Sequence, residues 1–406
     1  MTRCFVTSFL LSMALLAGSL PVADAHAADH SASAPSEPIR SRAALDAYLS
    51  AHAGTSTPLD LLPPRARQRF LDSLAFGDEG LGGFSTQELA TELTPDEIEQ
   101  ILALFDAAGY AGVVSSRNAD HPPSWRGKPV ESGIGETGYD ALLTLADASD
   151  SDNDKLEQRY QLLFGDLPAS PERMQALPER ELIYLLRATT LVAFTSHSPD
   201  SADRVHAVVS AMEARGMAQP RDIRDAYNGL LKARRFADAK RYADEHPDVD
   251  LPAMPAFVDT LKANPPAFSV WAPADDGATL VRTALDTDPL QILVTAGCHF
   301  SEDAAADIAK DPVLGPIFAH HAHWLLLPPG MEDQEAVRDW NRRFPTAQAV
   351  QLYDRGEWTF SKAWEMPTFL VIRHGEIVEQ VSGWAGADTE SRTDLLAALR
   401  RTGIVD

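Results

Sequence analysis

Cysteine is nearly absent. The chain has 406 residues and two cysteines, Cys4 and Cys298, so no dense disulfide framework can hold it together. Positive charge is also in short supply: 35 Lys and Arg stand against 59 Asp and Glu, a formal net charge of −24. That balance excludes nucleic acid as a partner, because phosphates would be repelled, and it disfavours anionic lipid surfaces. Long apolar runs are missing beyond the N-terminus. Several catalytic signatures are missing too: no G-x-S-x-G, no Walker A loop, and no G-x-G-x-x-G placed after a strand.

The one extended apolar stretch, Phe5 to Leu20, follows Arg3 and precedes two small-x-small sites, Ala23-Asp24-Ala25 and Ala25-His26-Ala27. Charge, apolar run and cleavage site in that order predict a cleaved secretory signal over 1–27, and hence a periplasmic or secreted protein. In the run LLAGS, Ser19 stands where an acylated lipoprotein would carry Cys, so no membrane anchor is expected after cleavage. Cleavage removes Cys4. The remaining Cys298 is left for an intermolecular disulfide or a free thiol.

What is present divides by texture. HSASAPSEP, within 28–40, reads as a mobile tether. Helical patterns fill 41–263. SRAALDAYLSAHA opens on a capping Ser, and TPDEIEQILALFDAAGY places Thr94 as N-cap and Pro95 at the first helical position, with Ile98, Ile101, Leu102 and Phe105 at helical spacing. FGDEGLGGFST reads as a glycine-marked loop, and residues 115–136 as an irregular connection. Residues 220–247 look like a helix pair resembling one tetratricopeptide-type unit, without a second copy at a fixed period. ASDSDND at 148–154 lacks the Gly and Glu of a calcium loop and reads as an acidic connector.

ANPPAFSVWAPADDG reads as a Pro-rich junction. After it, ATLVRTALD, LQILVTAG, HWLLLPPG, TFLVIRHG and EIVEQVSGW carry strand signals, interspersed with helical patterns. The expected class is therefore multidomain, an α-helical N-terminal domain followed by an α/β domain over 268–406. The turn in HGEIV, with Gly375, predicts that the last two strands form an antiparallel hairpin.

Three segments of that last domain carry a resemblance. QILVTAG runs into Cys298 at a predicted helix start. Met366-Pro367-Thr368 immediately precedes a strand. FLVIRHGEIVEQVSGW supplies a closing hairpin ahead of a final helix. In this order they resemble the thioredoxin-like superfamily, over roughly residues 268–406. The resemblance implies that Cys298 is a nucleophile and that Met366-Pro367-Thr368 is a cis-proline loop receiving substrate backbone. It also implies thiol–disulfide exchange with protein thiols or disulfides, without a cofactor. The sequence departs from the family in having Gly297 where Trp is usual, and Cys298-His299-Phe300-Ser301 where a dithiol enzyme carries C-x-x-C.

A Cys at a helix N-terminus feels the positive end of the macrodipole, which favours thiolate. His299, if protonated, adds to this, and Ser301 one turn later is placed to donate to the sulfur. With no second thiol, a mixed disulfide on Cys298 waits for an external thiol. The alternative is a binding or scaffold protein whose thioredoxin fold has lost its chemistry. Less favoured is a one-cysteine peroxidase, since Thr295-Ala296-Gly297-Cys298 fits T-x-x-C but Gln291 stands where that family has Pro. Phe300, Trp364 and Trp384 are candidates for an apolar rim. His320, His321 and His323 read as helix-end residues, so no metal is assigned. Asp275-Asp276 and Glu332-Asp333 read as solvated acids.

Overall fold

In the computed structural model, residues 37–405 are described except 78–79, 120, 129, 148–152, 196–199, 262–267, 275–277, 288–289, 333 and 359–363. The signal segment, most of the tether and most of ASDSDND therefore lie outside the described residues, as do Asp275, Asp276 and Asp333. No helix among the described residues is long and apolar enough to cross a membrane.

The chain forms two compact units. The first holds the described residues up to Asp147 together with Pro178–Tyr184. Its helices are α1 (Arg42–Ala51), α2 (Pro64–Ser73), α3 (Thr86–Glu92), α4 (Pro95–Ala103) and α5 (Ile134–Ala146), and a ribbon pairs β1 (Ala75–Gly77) with β2 (Gly80–Gly83). The expected caps are present. Ser41 Oγ accepts from Ala44 N at 3.1 Å, and Thr94 with Glu97 makes a capping box. Ile98, Ile101 and Leu102 lie fully buried beside Phe70 and Phe105. The glycine-marked loop is a correction: Ala75–Gly77 and Gly80–Gly83 pair as the β1–β2 ribbon, whose Phe76 and Leu81 pack against the core.

A buried ionic network also belongs to this unit. Arg180 donates to both oxygens of Glu136, at 2.7 and 2.8 Å, and through Nε to Glu92 at 3.0 Å. Arg69 reaches Glu88 and Glu136 at 3.0 Å each. Burial by itself would raise the Glu136 carboxyl, but hydrogen bonds from Arg180 and Ser132 and the charges of Arg180 and Arg69 outweigh it and hold it at about 2. The Glu181 carboxylate accepts from the Gly133, Gly135 and Glu136 N–H groups at the start of α5, where a helix N-terminus favours negative charge.

The second unit holds α6 (Asn153–Phe164), α7 (Pro171–Gln175), the part of α8 (Glu179–Thr195) from Leu185 onward, α9 (Asp200–Glu213), α10 (Pro220–Lys232) and α11 (Phe236–Glu245), and continues through the α/β region to the C-terminus. Packing thus groups these later helices with the sheet, whereas the textural boundary near Ala263 separates them. The expected helix pair at 220–247 is α10 and α11. Gly229 of α10 lies close to α9: a Cβ on it would lie 3.7 Å from Ala202.

The sheet has eight strands in the order β10-β9-β6-β7-β8-β4-β5-β3. They are β3 (Ala256–Asp259), β4 (Ser269–Pro273), β5 (Thr279–Ala284), β6 (Gln291–Thr295), β7 (Ala322–Leu326), β8 (Ala349–Leu352), β9 (Thr368–Arg373) and β10 (Glu376–Ser382). From β6 the chain passes through α12 (His299–Lys310) and α13 (Leu314–His321) to β7, then through α14 (Gln334–Arg343) to β8; these strands are parallel. β9 returns antiparallel to β6, pairs with β10 as a hairpin, and α15 (Glu390–Thr402) closes the chain. His374 and Gly375 take φ of 53° and 77° in the hairpin turn, as a two-residue primed turn requires. The fold class is as expected, helical followed by α/β.

Strands β6 and β9 bury both faces, which is why they read as unbroken apolar runs. Ile292, Val294, Phe369 and Val371 join one core cluster with α12, α14 and α15 side chains, while Leu293, Leu370 and Ile372 join the other with Trp358 and Trp364. The Pro-rich junction is a second correction: FSVWAP contains β4, paired to both β5 and β8. Its Trp271 is buried against Phe236, Phe257 and Tyr353. Arg282 of β5, also buried, ties Asp259 at 3.1 Å, Ser269 at 2.9 Å and Glu357 at 2.9 Å.

Candidate functional site

Cys298 occupies the N-cap of α12, with extended φ −129° and ψ 166°. The backbone N–H of Ser301, at the start of that helix, donates to Cys298 O at 3.0 Å. Cys298 is half-buried and free of disulfide. Sγ lies 3.5 Å from Met366 O, and the Met366-Pro367 peptide is cis. The sulfur thus faces the loop that the resemblance assigns to substrate, brought there by β9 lying antiparallel beside β6.

That loop is fastened from below by Thr295, the last residue of β6. Its hydroxyl donates to Glu365 O at 2.5 Å and accepts from Thr368 N at 2.8 Å. The Thr368 hydroxyl donates to the same carbonyl at 2.9 Å. Pro367 O accepts from Gly383 N at 2.7 Å, which links the loop to the end of β10. Thr295 is therefore turned toward the loop backbone, and the first residue of T-x-x-C is occupied in fold closure.

Ser301 is fully buried, and its hydroxyl is shared among backbone groups. It accepts from Gly297 N at 3.1 Å and Cys298 N at 3.0 Å, and it stands 2.6 Å from Cys298 O but 3.6 Å from Sγ. One hydroxyl proton serves one acceptor well, and the carbonyl is the nearer. Ser301 principally caps the turn that carries the sulfur. His299 is exposed, with its ring 3.8 Å from that of Phe300. Phe300 is 48% exposed, while Trp364 and Trp384 are each 6% exposed and belong to the core. Trp384 Nε1 donates to Asp307 at 3.0 Å. Of the three candidate rim residues, only Phe300 faces solvent.

Two residues gain meaning that sequence reasoning missed. Gly297 has φ +127°, and a Cβ there would meet Glu332 Oε2 at 3.2 Å, Met366 Sδ at 3.4 Å and Leu326 Cδ2 at 3.6 Å. A bulky residue in the place where Trp is usual would be strained in backbone and crowded in space. Glu332, read as a solvated acid, is half-buried, with its carboxylate against the backbone just before Cys298. The only sequence signal was the glycine that precedes it in Pro-Gly-Met-Glu.

His320 and His321 sit in the last turn of α13, and His323 lies in β7, where burial lowers its pKa. Among the described residues no group of three or more His, Cys, Asp or Glu side chains is arranged to hold a metal ion.

No protein-family model matches this sequence, and no curated protein matches it. A solved structure of a thioredoxin-like protein from Bacteroides caccae ATCC 43185 aligns with 67% of this chain and 97% of its own, at 11% identity and a TM-score of 0.24. Overlap that slight has no weight beside the strand order and connections described above, on which the fold assignment rests.

Proposed function

We propose that this protein acts by thiol–disulfide exchange, forming mixed disulfides with protein partners through Cys298 in an oxidising compartment outside the cytoplasm. The observation that carries this reading is the half-buried sulfur at the N-cap of α12, 3.5 Å from Met366 O beside the cis Met366-Pro367 peptide. The N-terminal N–H groups and dipole of α12 favour negative charge there.

The chemistry balances with one sulfur. The Cys298 thiolate forms a bond to one sulfur of a partner disulfide, that disulfide breaks, and the second partner sulfur leaves as a thiolate with the electron pair. An external thiol then attacks the mixed disulfide and regenerates Cys298. His299, Phe300 and Met366 flank the approaching partner segment, Thr368 holds the cis-proline loop in place, and Pro367 shapes it. The commitment of Thr295 to Glu365 O and Thr368 N argues against the one-cysteine peroxidase.

The test uses the full chain carrying Cys4→Ser. Folded protein is treated with iodoacetamide or with glutathione disulfide and weighed by mass spectrometry. The expected result is one adduct without denaturant, absent in Cys298→Ser. Labelling only after denaturation would reject exchange chemistry and leave the scaffold reading, in which the fold keeps its groove without a reactive thiol.

A further inference from the structure

Three side-chain contacts run along the seam where α9 lies beside α11. Arg235, the N-cap of α11, pairs with Asp203 and, at 2.7 Å, with Asp238. Midway, the Tyr242 ring meets the His206 ring edge-on, with centroids 5.2 Å apart. At the far end His246, the C-cap of α11, reaches Glu213, the last residue of α9. The first contact is a guanidinium pair and stays charged at every ordinary pH. The last is different. His246 Nδ1 lies 2.7 Å from Tyr242 O, one of the carbonyls in the final turn of α11, and Nε2 lies 2.6 Å from Glu213 Oε1. A carbonyl oxygen and an ionised carboxylate can only accept, so both ring nitrogens must donate. Only the imidazolium carries both protons. The side chains are 15% and 31% exposed, so water reaches the pair without dominating it.

We infer that the His246–Glu213 pair is a pH-sensitive clasp, which holds the last turn of α11 on α9 while the imidazole is protonated and releases it when the proton leaves. A neutral ring donates through one nitrogen only, so one of its two acceptors then faces a lone pair. The positive charge that complements the C-terminal end of α11 is lost with the proton. Burial alone would lower the His246 pKa, but the hydrogen bonds to Tyr242 O and Glu213, with the charges of Glu213 and Glu245, outweigh it and raise the value above the ordinary 6.5. The folded pKa is raised, so the clasp is complete below 6.5 and is lost as pH climbs through the folded value. The other titratable and charged groups around it are Glu245 and Tyr242 of α11, His206 of α9, and Asp222 of α10, which acts on the Tyr242 phenol. Two nearby arginines are turned elsewhere: Arg215 donates to Leu177 O at 2.8 Å and Arg224 of α10 to Asp250 O at 2.7 Å. The chain beyond the clasp keeps its own ties, Arg224 to Asp250 O and the Tyr227 hydroxyl to Pro252 O at 3.0 Å. Phe236, at the other end of α11, stacks on Phe257 of β3 at 3.7 Å. Release is therefore local: the last turn of α11 loosens while its first turn and β3 stay in place.

The experiment follows backbone hydrogen exchange of the full chain by mass spectrometry from pH 5.5 to 8.5, each rate corrected for the intrinsic pH dependence of exchange. Protection in the last turn of α11 should fall roughly three- to tenfold across that range, the scale of one charge at a helix end, while α15 stays flat. His246→Gln, which keeps a donor without the titrating charge, should hold that turn at the low protection and remove the pH dependence. Glu213→Gln removes a group that raises the His246 pKa and should move the fall to lower pH. If His246→Gln does not fold, the Glu213→Gln profile decides alone. Equal protection of the turn at pH 5.5 and 8.5 in the parent would overturn the inference. So would a fall of the same size in His246→Gln, or a Glu213→Gln profile that superimposes on the parent.

Discussion

The Ser301 hydroxyl shows why a single side chain can look catalytic in sequence and be structural in place. Four residues around Cys298 were legible: the cysteine from its strand-to-helix position, Ser301 from its spacing, and Met366 and Pro367 from a proline ahead of a strand. What Ser301 does was not legible, because its proton goes to Cys298 O at 2.6 Å rather than to Sγ at 3.6 Å, a preference that residue spacing cannot show. Ser301→Ala leaves the Gly297 and Cys298 N–H groups without that buried acceptor. It should cost about 1–3 kcal/mol of unfolding free energy, read as a lower urea midpoint, and Thr should restore most of it. A variant that loses alkylation rate without losing stability would instead give the hydroxyl a direct role at sulfur. Glu332 was illegible for another reason. It is distant from Cys298 in sequence, and the turn after β7 brings its carboxylate beside Gly297.

At the scale of elements, the strands found in the sequence were β5, β6, β7 and β9, together with the hairpin partner β10. Those missed were short, glycine-rich or flanked by proline: β1, β2, β3, β4 and β8. β4 was hidden because Pro273 ends it and prolines crowd the segment before it, yet Trp271 is among the most buried side chains of the molecule. Two of the missed strands are joined by Arg282 of β5, which is 3% exposed in its side chain and bridges Asp259 of β3, Ser269 of β4 and Glu357. Its guanidinium also lies 3.3 Å from the Tyr353 ring centroid. Arg282→Ala removes one partner from several buried contacts and leaves carboxylates facing each other. The expected loss is about 3–5 kcal/mol, checked by chemical denaturation. Hydrogen exchange should show the greatest new opening in β3 and β4, and an unchanged exchange pattern there would refute the bridging role.

For the whole molecule, acid is the condition that should weaken both compact units. The Glu136 carboxyl is held at about 2 in the folded protein against 4.5 ordinarily. The folded pKa is depressed, so its stabilisation is complete above 4.5 and drains away as pH falls toward 2. The amount is on the order of 3 kcal/mol, enough to matter against the marginal stability of a domain. Asp311 in the second unit, also held at about 2, chiefly by its hydrogen bond from Arg392, follows the same sign. Urea midpoints measured at pH 6, 4 and 3 should therefore fall. Glu136→Gln should flatten the fall for the first unit only, as followed by exchange at α5. An equal slope in that variant would show that the network does not carry the acid dependence.

The contact between Cys298 and Met366 spans 68 residues of chain, and that separation has a meaning in time. At a synthesis rate of roughly 5–20 residues per second, the sulfur emerges about 3 to 14 seconds before the carbonyl that will face it. Strand β9, which must slide in beside β6, is made only after that interval. During that window the thiol has neither its loop nor its neighbouring strand, and whatever disulfide it meets first is met by an unfinished protein.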